Sequence, residues 1–420
     1  MRHYKLLNER KTSFYIFSKI GAIAFLIDVF WFKYAYFESS VILYGSGALA
    51  IVSMIIDLFI IGDIDSSVYP LGITINIIMC VYSFFTGIFV AVNQTQLFIS
   101  LRTYFIYSLF CLVLCYICYR EKSIDWLMKT LVFVSLLSCI YTMFRGYHFI
   151  GYGYILSRTI NPNNYGLILV VGICAVVYLS KESIESTILS CVILAILIWS
   201  IIQCGSRKSL IAAVLLVSLW IINHVRELLR SKWHLEVIIG ILLVIFVAVS
   251  AFYVFNNIYI GSDSQIRMQS LGNRNEGSMT MRKYYYKLAW ELFLEKPIFG
   301  VGFNQFQEYS SSGLFSHSLY AESISCWGLV GCLIYYPSLL AAIFRAWKIG
   351  FGKNKDNGGK KIFAILVVEL FLGTGQVLYY EINHMILLTA VFCWLTYYQR
   401  PEMKEENDRE VLVHECKYIR

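Results

Sequence analysis

Charge is scarce in this 420-residue chain: Asp, Glu, Lys and Arg together make up 15%, against about 25% in a soluble protein. With 58% hydrophobic residues and apolar stretches long enough to cross a bilayer, that scarcity excludes a water-soluble fold, a disordered chain and a disulfide scaffold. No internal repeat of fixed period is visible, which weakens a transporter built from duplicated halves. The first apolar run contains Asp28 and has no small-residue cleavage site, so no cleaved signal peptide is expected. The twelve cysteines lie almost entirely inside apolar stretches. Cys111, Cys115 and Cys118 have helical spacing but no His or carboxylate beside them, which reads as packing rather than metal binding.

What is present is a succession of apolar segments. A membrane-width window gives twelve spans: Phe14–Phe32, Val41–Ile61, Val68–Val92, Phe98–Tyr119, Ile124–Phe144, Tyr165–Ser180, Thr187–Gln203, Ser209–Asn223, Leu235–Asn256, Ser318–Phe344, Ile362–Tyr379 and Ile382–Tyr398. The expected fold is an all-α polytopic integral membrane protein. Its expected parts are nine transmembrane helices in residues 1–256, an extracytoplasmic loop at 257–316, three more helices in 317–400, and a cytoplasmic tail at 401–420.

An even span count puts both termini on one side. With the termini in the cytoplasm, 23 of the 35 Lys and Arg residues fall on the inside, as the positive-inside rule requires. The net charge of +8 therefore reads as membrane orientation, not nucleic-acid binding. The stretch GKNKDNGGKK between spans ten and eleven reads as a flexible cytoplasmic linker.

The long loop carries Met279–Leu294, a helix-like segment with an apolar stripe of Tyr285, Leu288, Ala289, Leu292 and Phe293. Arg282 falls on that same face, so it reads as an inward guanidinium awaiting an anion. The competing reading is an arginine that snorkels to lipid headgroups. Arg207 sits in the short turn between spans seven and eight, where an ionisable residue is costly unless it has a role. Arg158, Arg207, Arg282 and His317 come from distant parts of the chain, yet this topology puts all four at the outer interface. Such a set suits a phosphorylated or pyrophosphorylated headgroup. The outer loops hold no paired carboxylates of DxD-like spacing, so no metal and no other cofactor is expected. Asp28, Asp57, Glu369 and Glu381 lie in or near spans and support a rival reading, a transporter or flippase with ion-coupling acids.

These residues stand in a recognisable order. Asn161-Pro162-Asn163 precedes a span, and Ser206-Arg207 opens another. Arg282 with Trp290 leads into Pro297, Gly300, Gly302 and Phe306, and His317 precedes Gly328–Gly331. From Asn161 to about Tyr336 the set resembles the O-antigen ligase / Wzy-type polymerase superfamily of bacterial envelope glycan assembly. Two departures stand out: Ser318 replaces the family's usual Asn, and Cys326 replaces a frequent acid, leaving Glu322 as the nearby carboxylate.

The resemblance implies a GT-C-like architecture and a glycosyltransferase at the outer face of the cytoplasmic membrane. Donor and acceptor would be undecaprenyl-pyrophosphate-linked oligosaccharides. A flippase and a chain-length regulator are the implied partners, besides the lipid bilayer itself. His317, Arg207 and Arg282 are the expected catalytic residues, and Arg158, Asn163, Glu322 and Tyr286 the expected substrate contacts. A polymerase that joins repeat units is expected ahead of a ligase that moves a finished glycan onto lipid A core.

Overall fold

The computed structural model describes residues 15–32, 40–61, 71–145, 162–181, 183–228, 277–352 and 356–397. Among these the chain is helical throughout, with no strand. The helices are α1 Ile16–Ile27, continued by a π turn at Asp28–Phe32, then α2 Ser40–Ile61, α3 Leu71–Val90, α4 Gln94–Glu121 and α5 Asp125–Arg145. Next come α6 Pro162–Leu179, α7 Ile184–Cys204 and α8 Arg207–Leu228, then α9 Gly277–Glu295 and the short α10 Phe306–Tyr309. The last three are α11 Leu319–Phe351, α12 Asn357–Gly373 and α13 Ile382–Tyr397.

Seven of these helices are long and apolar enough to cross a membrane, and α13 is a shorter apolar helix. Helices occupy the expected span positions apart from Leu235–Asn256, which lies outside the described residues, as do the tail and residues 257–276 of the long loop.

The centre of the bundle is α6, which packs against α5, α7, α8, α12 and α13. Small residues set its distances, as they must where no hydrophobic effect drives helices together in lipid. A Cβ on Gly172 would fall 2.6 Å from the Ser135 Cβ of α5. One on Gly166 would fall 2.9 Å from the Ser206 Cβ at the start of α8. The cysteines behave as packing groups: Cys111, Cys115 and Cys118 are buried on α4, and Cys393 of α13 brings its sulfur to 3.6 Å from that of Cys115.

The membrane acids have local partners. Asp28 accepts from Ser46 at 2.8 Å, Asp57 accepts from the backbone N–H of Ser18 at 2.8 Å, and Glu369 pairs with His384 inside the bundle. Three of the four acids behind the transporter reading are thus held between neighbouring helices, where an uncompensated charge would be costly.

Two expectations need correction. The linker GKNKDNGGKK is helical in its second half, because α12 begins at Asn357, while α11 continues to Phe351 just before it. Asp356 caps α12 by accepting the Gly359 N–H at 2.9 Å. Glycines let the two helices meet closely: a Cβ on Gly359 would lie 2.6 Å from the Gly350 nitrogen.

The second correction concerns α11, which is not a regular helix. Gly328 adopts φ 61°, ψ −165° within it. The segment from Pro297 to Gly302 runs beside this break and laces to it. Leu329 and Val330 N–H donate to Pro297 and Ile298 carbonyls at 2.8 and 3.1 Å. Val301 and Gly302 N–H donate to Ser325 and Cys326 carbonyls at 2.9 and 3.0 Å. The Tyr82 hydroxyl donates to the Trp327 carbonyl at 2.7 Å. Backbone groups freed by the break therefore find partners, as buried peptide groups must.

The glycine spacing of this motif is thus a requirement for backbone contact. A Cβ on Gly328 would fall 2.5 Å from the Ile298 carbonyl oxygen, and its backbone conformation is one that only glycine adopts without strain of about 1–3 kcal/mol. Gly328→Ala should therefore unlace the break and reduce the amount of folded protein in the membrane. Quantitative blotting of membrane fractions checks this; parent-level abundance with an unchanged melting temperature in detergent would contradict it.

Candidate anion site at one end of the bundle

The lacing places α9 against α11 and brings one end of the bundle together. That end holds the N-termini of α6 and α8, the first turns of α9, the loop before α11, and the turn between α12 and α13. Asn163, in the first turn of α6, and Ser206, before α8, meet there: the Ser206 hydroxyl lies 3.4 Å from Asn163 Oδ1 and 2.9 Å from Ser209 Oγ. The NPN turn and the Ser-Arg turn are therefore neighbours in space.

Arg207 opens α8 with its side chain exposed. The next residue, Lys208, is half-buried and donates its ammonium to the Leu372 carbonyl at the end of α12. Burial and the Arg282 guanidinium lower the Lys208 ammonium from its ordinary value to about 7. Lys208 precedes the apolar run of its helix and belongs to the interface.

The amphipathic helix was expected at Met279–Leu294 and spans Gly277–Glu295, with Tyr285, Ala289 and Leu292 buried. Arg282 departs from the expected inward orientation: its side chain is exposed. The apolar stripe is occupied by Tyr285, one turn on, and the long arginine side chain stays at the rim. Its charge nevertheless reaches both Lys208 and His317.

His317 is the residue before the cap of α11. It is half-buried, with a left-handed φ of 56°, and its ring lies 5.8 Å from that of Tyr285. Tyr285 is held in turn by a 2.7 Å hydrogen bond between its hydroxyl and Ser312. Burial, then Arg282, then Lys208, push the His317 imidazole below its ordinary 6.5.

The expected substrate contacts are distributed differently. Tyr286 donates its hydroxyl to the Thr374 carbonyl at 3.0 Å, fastening α9 to the turn after α12. Glu322 has no exposed surface (0%), and its Oε2 accepts the Ser316 backbone N–H at 2.8 Å. A carboxylate so enclosed braces the loop and does not face the open end. Asn163 is exposed at the site end, and Arg158 lies outside the described residues.

The structure thus brings Arg282, Lys208 and His317 into mutual electrostatic range, with Arg207 adjoining through the helix it shares with Lys208. Lys208 was missed in the sequence, although its position beside Arg207 at the mouth of an apolar run was the available signal. Among the described residues, no carboxylate is among the groups acting on His317 or Lys208. A half-enclosed group of cations that depress one another's charge is electrostatically incomplete and is relieved by an anion. Guanidinium and ammonium donors together suit phosphate oxygens.

These features define a polytopic membrane protein with a cationic site at one end of its helix bundle. Residues 192–336 match the family described as O-Antigen ligase, in agreement with the resemblance carried by the ordered motifs. The matched stretch holds Arg207, Lys208, Arg282, His317 and the laced glycines. No curated protein matches the chain.

Proposed function

We propose that this protein is a polymerase that joins undecaprenyl-pyrophosphate-linked oligosaccharide repeat units at the outer face of the cytoplasmic membrane. One observation carries the reading: Arg282 and Lys208 act on His317 with no carboxylate among the described groups that act on it, inside the stretch that matches a family acting on lipid-linked glycans. The 23 of 35 basic residues that fall on the inside segments support cytoplasmic termini and an outward site.

In this reading an acceptor hydroxyl attacks the anomeric carbon of the donor glycan. A carbon–oxygen bond forms there as the bond to the pyrophosphate oxygen breaks, and undecaprenyl pyrophosphate departs with the electron pair. Arg282, Lys208 and Arg207 stabilise its growing charge. His317, kept neutral at pH 7 by burial and then by its cationic neighbours, accepts the proton of the attacking hydroxyl. The cations supply the electrophilic role, so the reaction runs without a metal.

The match to the family described as O-Antigen ligase equally supports a second reading, a ligase that transfers the finished glycan to a different acceptor. Deleting the gene and sizing the surface glycan on a gel tests both. Single repeat units reaching the surface support the polymerase. Long chains left on the carrier lipid support the ligase. Repeat units trapped in the cytoplasm would overturn both and point to a flippase.

A further inference from the structure

We infer that Glu322 is the positioning residue for His317, and that its carboxylate works as a hydrogen-bond acceptor rather than as a charge or proton donor. The inference rests on the proposed role of His317 for its functional consequence, but the geometry stands by itself.

An ordinary helix start places an acid at the third helical position, where it reaches back to the N–H of the capping residue. In α11 the cap is Ser318, whose hydroxyl accepts the Ala321 N–H at 3.4 Å. Glu322 stands one position later than the acid of that arrangement and reaches two residues further back, to the Ser316 N–H at 2.8 Å. Between the two bonded points lies His317 in its left-handed conformation. Such a φ is uncommon for a residue other than glycine and persists only where the surroundings over-determine it.

The surroundings do so here. The Ser316 hydroxyl donates to the Ser318 carbonyl at 2.9 Å and accepts the Ser318 N–H at 3.3 Å. Glu322 then ties the whole Ser316–Ser318 loop to the first turn of the helix. The outcome is a histidine whose backbone is fixed from both sides and whose ring rests against Tyr285.

Ser316, Ser318 and Glu322 are all buried, with 0%, 4% and 0% of their surface exposed, so water does not compete for these bonds. The polar and titratable groups facing Glu322 are Ser316 on the loop, Cys326 on its own helix, and Tyr379 and Tyr380 after α12. Among the described residues no cation faces it. Glu322 Oε1 has no hydrogen-bond partner among the described residues. The bonded oxygen accepts the Ser316 N–H, a task that an amide oxygen performs equally well.

The test compares Glu322→Gln, Glu322→Asp and Glu322→Ala in the full-length protein. Two readouts are taken: surface glycan length in cells, and the pH dependence of diethylpyrocarbonate modification at His317, followed by peptide mass spectrometry on purified protein. Glu322→Gln should match the parent in both. Glu322→Asp, one methylene too short to bridge the loop, and Glu322→Ala should lower polymer formation by about 10²-fold, the cost of misplacing a reacting group by about an ångström. In both, the His317 modification midpoint should rise toward 6.5 as the ring leaves its cationic neighbours.

Loss of polymer in Glu322→Gln would overturn the inference, because charge or a proton would then matter. So would an unchanged His317 midpoint in both Glu322→Asp and Glu322→Ala. If His317→Ala still makes normal polymer, the proposed function fails. The midpoint shift then still decides whether Glu322 positions the ring.

Discussion

Arg282→Ala should abolish long surface glycan while leaving the protein in the membrane at near-parent abundance, and His317→Ala should do the same. The arginine is exposed on α9, so its removal takes little from the packing. Its charge is felt at both His317 and Lys208, so its removal takes much from the site. Loss of one donor to a developing oxyanion costs about 2.7–4 kcal/mol, or about 10²–10³ in rate.

Charge alone does not meet the requirement. Arg282→Lys and Arg207→Lys should recover little, because an ammonium lacks the two-pronged geometry that grips neighbouring phosphate oxygens. The control is Lys287→Ala on the same helix. Lys287 is exposed and pairs with Glu291 at 3.6 Å, an arrangement of little energetic weight. Gel sizing of surface glycan, with blotting for abundance, reads all five variants. If Lys287→Ala hurts as much as Arg282→Ala, the helix is a general basic surface and the site is not where it has been placed.

The second large effect is on pH. Lys208 is held down to about 7 by burial and Arg282, so its ammonium is present below that pH and lost above it. His317 is pushed below 6.5 by burial, Arg282 and Lys208, so its basic imidazole form is present above the lowered value and lost below it. The free protein therefore has a window in which Lys208 carries its charge while His317 can accept a proton. The turnover parameter kcat/KM should be bell-shaped, with an acid limb below 6.5 and a basic limb near 7.

Lys208→Arg should move the basic limb far upward, because a guanidinium keeps its charge throughout this range. Inorganic pyrophosphate should bind with uptake of a proton at pH 8, seen as a calorimetric heat that depends on the buffer. Lys208→Met should remove that uptake. Binding at pH 8 without proton uptake in the parent protein would show that Lys208 does not meet the anion.

The sequence by itself determined the class of this protein. Long apolar segments with few charges admit only a helical membrane fold, because every backbone polar group in lipid must be satisfied within its own segment. The helix Gly277–Glu295 is legible from its period, and the ordered motifs point to the family stretch. These signals are local: they depend on which residues are near one another along the chain.

Tertiary structure decided the rest. Lys208 joins the site because α8 packs against α12, where its ammonium meets a carbonyl 164 positions away. Tyr286 is spent on Thr374, and the apolar stripe of α9 belongs to Tyr285, so Arg282 works from the rim. The glycines near 300 and 328 proved to be two halves of one backbone contact, and Glu322 proved to be a brace. No periodicity carries such facts. A side chain's partner is set by which helices meet and at what distance, and that is settled only when small residues such as Gly166, Gly172 and Gly328 let distant backbones come together.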